Sequence, residues 1–263
     1  MTAFYGIVAR ELQRLLRRRS RLFMSLVRPM IWLFVVGSVV GAIAAGADPE
    51  SYRRFILPGV LGLVLLFSAI FAAMSTATDR ELGAIRLLLI APVSRTMLVL
   101  AKIAGTALVA LAQASLLLLL LPLVAPDTPP VRVVFALFAM LLTALTLASV
   151  GMMLASGVQS LEGFSGVANF ISFPMLFLSG ALYPSRLLPP VLQPLTAVNP
   201  LTYGIDLMKH ALLGEEAGRF QAEIPIAIDL LVLGFIFVVC VVLAVLLFDG
   251  EARFTGRMRL RGG

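Results

Sequence analysis

Apolar runs of about membrane length, separated by short clusters of charge and proline, repeat along the whole of this 263-residue chain. A hydrocarbon layer about 30 Å thick takes roughly 20 residues of helix to cross. Six stretches qualify: Val27 to Ala47, Phe55 to Ala77, Lys102 to Val124, Val133 to Ser156, Gly163 to Leu182, and Ile224 to Phe248. The fifth is the least regular, because Asn169 and Pro174 interrupt it and it runs into a proline-rich stretch. No alternating strand pattern appears, and unpaired backbone is costly in lipid, so the spans are helices. The pattern predicts an all-α polytopic membrane protein with six transmembrane helices.

Three further segments carry their own patterns. Residues 2–22 read as an interfacial helix within an N-terminal region 1–26. Phe4, Tyr5, Val8, Leu12, Leu15 and Leu16 fall on one face, and Arg10, Arg14, Arg17 and Arg21 on the other. Such a helix lies along anionic headgroups, as an anchor or as a docking element. The membrane domain is expected over 27–248 and a basic tail over 249–263. Inside it, the loop 78–97 opens with charge at Asp79, Arg80 and Glu81, continues as a short apolar helix, and stops at Pro92. Residues 183–223 hold Pro184, Pro189, Pro190, Pro194 and Pro200, yet are too apolar for a solvated loop. Short helices dipping back into the bilayer account for that composition, with irregular backbone tolerated only against protein or a water-lined cavity.

Composition agrees with this reading. The chain is 60% hydrophobic and 13% charged, with a mean hydropathy of +1.02, whereas soluble domains carry about 25% charge. Lysine and arginine set the orientation. Fifteen lie in the N-terminal segment, the loop after the second span and the tail, against six on the other side, which places both termini in the cytoplasm. The basic balance is thus a topology signal, with no nucleic-acid pattern of basic residues interleaved with exposed aromatics. The Arg-rich N-terminus does not resemble a cleavable signal peptide, so the first span is expected to direct insertion.

Candidate chemistry is sparse. Cys240 is the only cysteine and His210 the only histidine, so neither a disulfide nor a His or Cys metal cluster is expected. Neither lysine, Lys102 nor Lys209, follows a G-x-x-x-x-G-K-[ST] pattern, which removes nucleotide hydrolysis by that route and predicts a non-enzyme. Arg28, Lys102, Glu162 and Asp229 fall near span ends, where snorkelling or an interfacial partner accommodates charge. Gln113, Thr143, Thr146, Ser149 and Asn169 sit at membrane depth, where bonding between helices is their expected role.

Three features together resemble the permease subunits of the type-2 family of ABC exporters. They are the basic amphipathic N-terminal helix, the run from Glu81-x-Gly83 through Leu87-Leu88 to Pro92-Val93-Ser94-Arg95, and the block Phe173 to His210. In that block Leu178-Ser179-Gly180 is followed by prolines, by Asn199-Pro200-Leu201-Thr202-Tyr203, and then by Asp206. One position departs: the family commonly has Arg or Gln where this chain has Lys209, so a charged donor is kept.

The resemblance implies six helices with two short re-entrant helices between the fifth and sixth. It implies a transporter of two permeases, here a homodimer, and two separate ABC ATPase subunits in the cytoplasmic (inner) membrane. ATP and Mg would then be bound by the partner, and this chain would hold no cofactor. Glu81, Gly83, Arg86 and Pro92 are the expected coupling residues, with charge for docking and Gly and Pro shaping the short helix. Gly180, Asn199, Pro200, Tyr203, Asp206 and Lys209 are expected to shape an extracytoplasmic gate, Asp206 and Lys209 being placed to pair on one helix. The resulting expectation is efflux through a permease dimer coupled to ATP. A membrane scaffold or accessory subunit that moves nothing is the alternative.

Overall fold

The computed structural model describes residues 29–36, 49–81, 94–158, 160–213 and 221–261, together with Gly6, Val8, Ala9, Gln13 and Val27. The interfacial helix, most of the first expected span, and the loop residues 82–93 with Gly83, Arg86 and Pro92 lie outside the described residues.

Among the described residues the chain is helical, with no strand. A π-helical stretch, Trp32–Val36, falls in the first expected span. The helices that follow are α1 (Pro49–Glu81), α2 (Arg95–Leu118), the single turn α3 (Leu121–Val124), α4 (Pro130–Gly157) and α5 (Leu161–Phe177). Short helices α6 (Gln193–Val198) and α7 (Pro200–Leu212) precede α8 (Ile226–Arg261). Four stretches are long and apolar enough to cross a membrane: Tyr52–Asp79, Arg95–Val124, Pro130–Gly157 and Ile226–Phe248. The 17 residues of α5 end at Phe177, five short of the sequence boundary at Leu182.

Helix ends follow local chemistry. Ser94 caps α2 by accepting from the Met97 N–H at 3.4 Å, and Ser160 caps α5 by accepting from the Gly163 N–H at 3.1 Å. Pro130 and Pro200 occupy first-turn positions, where a missing N–H is harmless.

Packing divides the helices into an inner and an outer set. The spanning part of α1 is 78% buried, whereas that of α8 is 17% buried. Helix α1 packs against α2, α4, α5 and α7, while α8 leans on α4, α7 and α2. The remaining face of α8 displays Leu231, Phe235 and Val242 outward, and α5 displays Phe170 and Phe173. Apolar surface of this extent requires a hydrocarbon solvent. Close contacts set the spacing of α7. A Cβ on Gly204 would lie 2.4 Å from Thr143 Cγ2 of α4, and one on Gly62 of α1 would lie 2.6 Å from Ile205.

Polar groups at depth are satisfied in two ways. Ser68 donates to Gln113 across α1 and α2, and Thr146 reaches the Leu233 carbonyl of α8 at 3.3 Å as well as the Leu142 carbonyl of its own helix. Thr143, Ser149 and Asn169 instead bond carbonyls of their own helices, at 2.7, 2.7 and 2.9 Å. Ser149 also bonds the Cys240 thiol of α8, so the expected bonding between helices holds for three of these five positions.

Candidate functional site

One end of the bundle collects the start of α1, the turn before α4, and residues 178–226. Arg54 faces Asp127 there at 3.8 Å, and the Tyr52 hydroxyl donates to the Leu182 carbonyl at 2.9 Å. The path into this region begins where α5 stops. Gly180 has φ +73°, a left-handed conformation that a side chain resists. The next residue then packs directly on α1, since a Cβ at Gly59 would sit 2.0 Å from the Ala181 carbonyl oxygen.

From there the block containing Asn199 and Pro200 closes carbonyls that helix ends leave open. Asn199 accepts from the Leu201 N–H at 3.0 Å, capping α7, and its amide donates to the Met175 carbonyl of α5 at 2.7 Å. Pro200 is the first residue of α7. The Tyr203 hydroxyl donates to the Ala197 carbonyl at 2.7 Å, which ties α7 to the end of α6.

Asp206 lies one turn further along α7. Its two oxygens accept the Glu223 and Ile224 N–H groups, both at 2.9 Å. His210 Nε2 lies 2.7 Å from the Ile224 carbonyl oxygen and 3.7 Å from Asp206 Oδ2. Asp229, fully buried in the first turn of α8, places Oδ2 4.0 Å from the same ring nitrogen. Together these contacts fasten the segment entering α8 to the side of α7. Glu223 adds a further tie by accepting from the Ser185 hydroxyl.

Lys209 is buried beside this cluster, with its ammonium 5.0 Å from the centre of the Phe55 ring. No contact ion pair joins Asp206 and Lys209, although they are three residues apart on α7. The carboxylate is turned to the 223–224 backbone, and the ammonium lies against α1. Helix α7, at 13 residues, is too short to cross a bilayer. Burial pushes the Lys209 ammonium down, with Asp206 pulling the other way. Burial also pushes Asp206 up, against the two backbone N–H groups it accepts.

The opposite end of the bundle holds a second polar group, one that sequence reasoning treated as separate charges. Lys102 Nζ of α2 bonds Asp79 Oδ2 of α1 at 2.8 Å and Thr76 Oγ1 at 3.2 Å, with all three side chains buried. The sequence signal was present, an acid and a base flanking one loop, but helix register alone decides that they meet. Glu81 is exposed at the last position of α1 and accepts from the Leu161 N–H at 3.2 Å. Its carboxylate thus sits at the N-terminus of α5, where negative charge is favoured.

The six expected gate residues, Gly180 to Lys209, therefore gather at one end, and Glu81 stands at the other. His210, Glu223 and Asp229 join the first group through the fold.

A family model described as "ABC-2 type transporter" matches residues 2–213. The chain is 28% identical over 217 residues to Nodulation protein J of Rhizobium leguminosarum bv. viciae, covering 81% of this chain and 82% of that protein. It is 31% identical over 196 residues to Nodulation protein J of Rhizobium meliloti (strain 1021), covering 72% and 73%. It is 26% identical over 221 residues to the inner membrane transport permease YadH of Escherichia coli (strain K12), covering 81% and 83%. With several membrane-length helices and a family match over most of its length, the chain belongs to the ABC-2 type transporter family as a transmembrane transport permease.

Proposed function

We propose that this permease is the membrane subunit of an ATP-driven exporter, working as a homodimer against a separate ABC ATPase. In this reading the chain has six spans, with Val27 to Ala47 as the first and α5 within the fifth. Helices α6 and α7 are the re-entrant pair, and both termini are cytoplasmic. The N-terminal helix and residues 82–93 lie where the ATPase docks.

The observation that carries the proposal is the buried Asp79–Lys102 bridge at 2.8 Å. It locks α1 to α2 immediately behind the connecting segment, so a push on residues 82–93 is delivered to α1. That helix is the most buried of the four membrane-length helices. Glu81 passes the same push to α5 through Leu161. A rigid displacement of α1 then reaches the opposite end, where α1 touches Ala181 through Gly59 and α7 through Gly62. ATP binding would favour one arrangement of the two permeases by its differential affinity for the two states. A sequence with no P-loop pattern supports a motor on another chain.

The test is ATPase stimulation in a reconstituted complex of the permease with its ATPase. Glu81→Gln and Arg86→Gln are expected to reduce permease-dependent stimulation about tenfold, the equivalent of one lost charge-assisted bond of about 1.5 kcal/mol, while membrane insertion is unchanged. Full stimulation by both variants overturns the assignment. An ATPase indifferent to the presence of the permease would favour the scaffold reading.

A further inference from the structure

We propose that Asp206, His210 and Asp229 form a Zn²⁺-binding site that fastens α7 to the first turn of α8. One ligand atom from each residue lies within 4.8 Å of the others. Asp206 Oδ2 is 3.7 Å from His210 Nε2, and Asp229 Oδ2 is 4.0 Å from the same nitrogen. Zinc bonds of about 2.0–2.2 Å set tetrahedral ligand–ligand edges of roughly 3.3–3.6 Å. The two edges to His210 therefore need to draw in by only a few tenths of an ångström, and the Asp206–Asp229 edge, within 4.8 Å, by at most about 1.5 Å.

Asp229 is the independent sign that something belongs there. It has no solvent exposure, and neither carboxylate oxygen has a hydrogen-bond partner among the described residues. A buried carboxylate is strongly unfavourable unless a counter-ion or donors compensate it. Lys209 does not fill that place, since its ammonium lies against the Phe55 ring and forms no contact ion pair with Asp229. A dication among the three side chains would cancel both carboxylate charges.

The surroundings suit a metal as well. Asp206 and His210 are four residues apart on α7 and so share a face. The Glu223 and Ile224 N–H groups hold the Asp206 carboxylate in place and leave each oxygen a lone pair, which is the outer-shell support that metal ligands need. The Ile224 carbonyl oxygen, 2.7 Å from His210 Nε2, is placed to become the fourth ligand. On binding, the metal takes the Nε2 lone pair and the single proton of the neutral imidazole moves to Nδ1 by exchange with solvent, so the ring stays neutral and no redox change is involved. Two carboxylates with one imidazole favour a borderline divalent ion over Ca²⁺ or Mg²⁺, which take oxygen ligands.

The test uses the full-length chain in nanodiscs, purified without a histidine tag, stripped with EDTA and titrated with ZnCl₂ against a chromophoric chelator. One Zn²⁺ per chain is expected, with affinity at least tenfold weaker in Asp229→Asn and in His210→Gln. Added Zn²⁺ should raise the melting temperature of the wild type and not that of Asp229→Asn, and excess Mg²⁺ should not displace it. His210 is the only histidine, so an imidazole signature in the X-ray absorption spectrum of the wild-type complex reports this site even if a variant fails to fold. No stoichiometric binding, binding without imidazole, or equal affinity in Asp229→Asn overturns the proposal. Because no ATPase is present, the outcome is independent of the exporter reading.

Discussion

Removing one partner of the Asp79–Lys102 bridge is expected to destabilise the permease far more than removing both. At 2.8 Å the pair has a gross attraction of about 6 kcal/mol at an effective dielectric of about 20. Desolvation of two buried ions costs several kcal/mol each, so the net contribution of the intact bridge is small. Breaking it is different. Lys102→Met takes the ammonium away from the buried Asp79 carboxylate, and Asp79→Leu leaves Lys102 with the Thr76 hydroxyl. Each single change should lower stability by about 3–5 kcal/mol, whereas the Asp79→Leu/Lys102→Met double variant should fall within about 2 kcal/mol of the wild type. The coupling energy is then about 4 kcal/mol or more, well above the 0.3–0.5 kcal/mol or so of additive error for independent sites. Reversible unfolding in mixed micelles, followed by helical circular dichroism, measures all four corners of the cycle. Additive losses would refute the reasoning, because they would mean that α1 and α2 are not in register at this depth. The double variant also separates folding from function: a folded chain without the bridge should transmit less of the push on residues 82–93.

Two further predictions address the opposite end. Gly180→Ala should lower stability by roughly 1–2 kcal/mol through φ alone, because the nearest neighbour of the new Cβ is at an ordinary 3.6 Å. Gly180→Asn should lose less, since Asn tolerates that conformation better, and equal melting temperatures for Gly180, Ala and Asn would contradict the assignment. Asn199→Ala should cost about 1 kcal/mol for the cap and roughly 1–3 kcal/mol for the Met175 carbonyl left open. Asn199→Asp keeps the acceptor and loses only the donor, so its melting temperature should fall between the two.

Much of the membrane architecture is legible in the chain because lipid imposes a length and a composition. The expected spans over Phe55 to Ala77 and Val133 to Ser156 fall within observed helices, that over Lys102 to Val124 runs through α2 and the turn α3, and that over Ile224 to Phe248 starts two residues before α8. Boundaries differ where side chains, not hydropathy, end a helix. Helix α2 starts at Arg95, two turns before Lys102, because Ser94 caps it. Helix α1 runs on through Asp79 to Glu81, charges that read as a loop, because Lys102 is there to meet Asp79. Helix α8 continues past Phe248 to Arg261, within what composition marks as a tail.

The site was legible as a set of residues but not as a set of contacts. Asn199 reaches a carbonyl 24 residues back, and Asp206 binds backbone 17 and 18 residues ahead. Helical spacing suggested Lys209 for Asp206, and tertiary packing gave that lysine to Phe55. His210 attracted no role because it is a single histidine, and its neighbours Asp206 and Asp229 belong to different helices.

The account as a whole turns on which side of the membrane residues 82–93 face. Cys240 is the only cysteine and is buried, so a Cys240→Ala background accepts single reporter cysteines with little disturbance. In sealed vesicles of known orientation, Gly83→Cys should react with a membrane-impermeant maleimide from the cytoplasmic side only. Val191→Cys, 84% exposed at the opposite end of the bundle, should react from the outer side only. Labelling of Gly83→Cys from outside would contradict the account, because an ATPase in the cytoplasm could not reach the segment it is required to push.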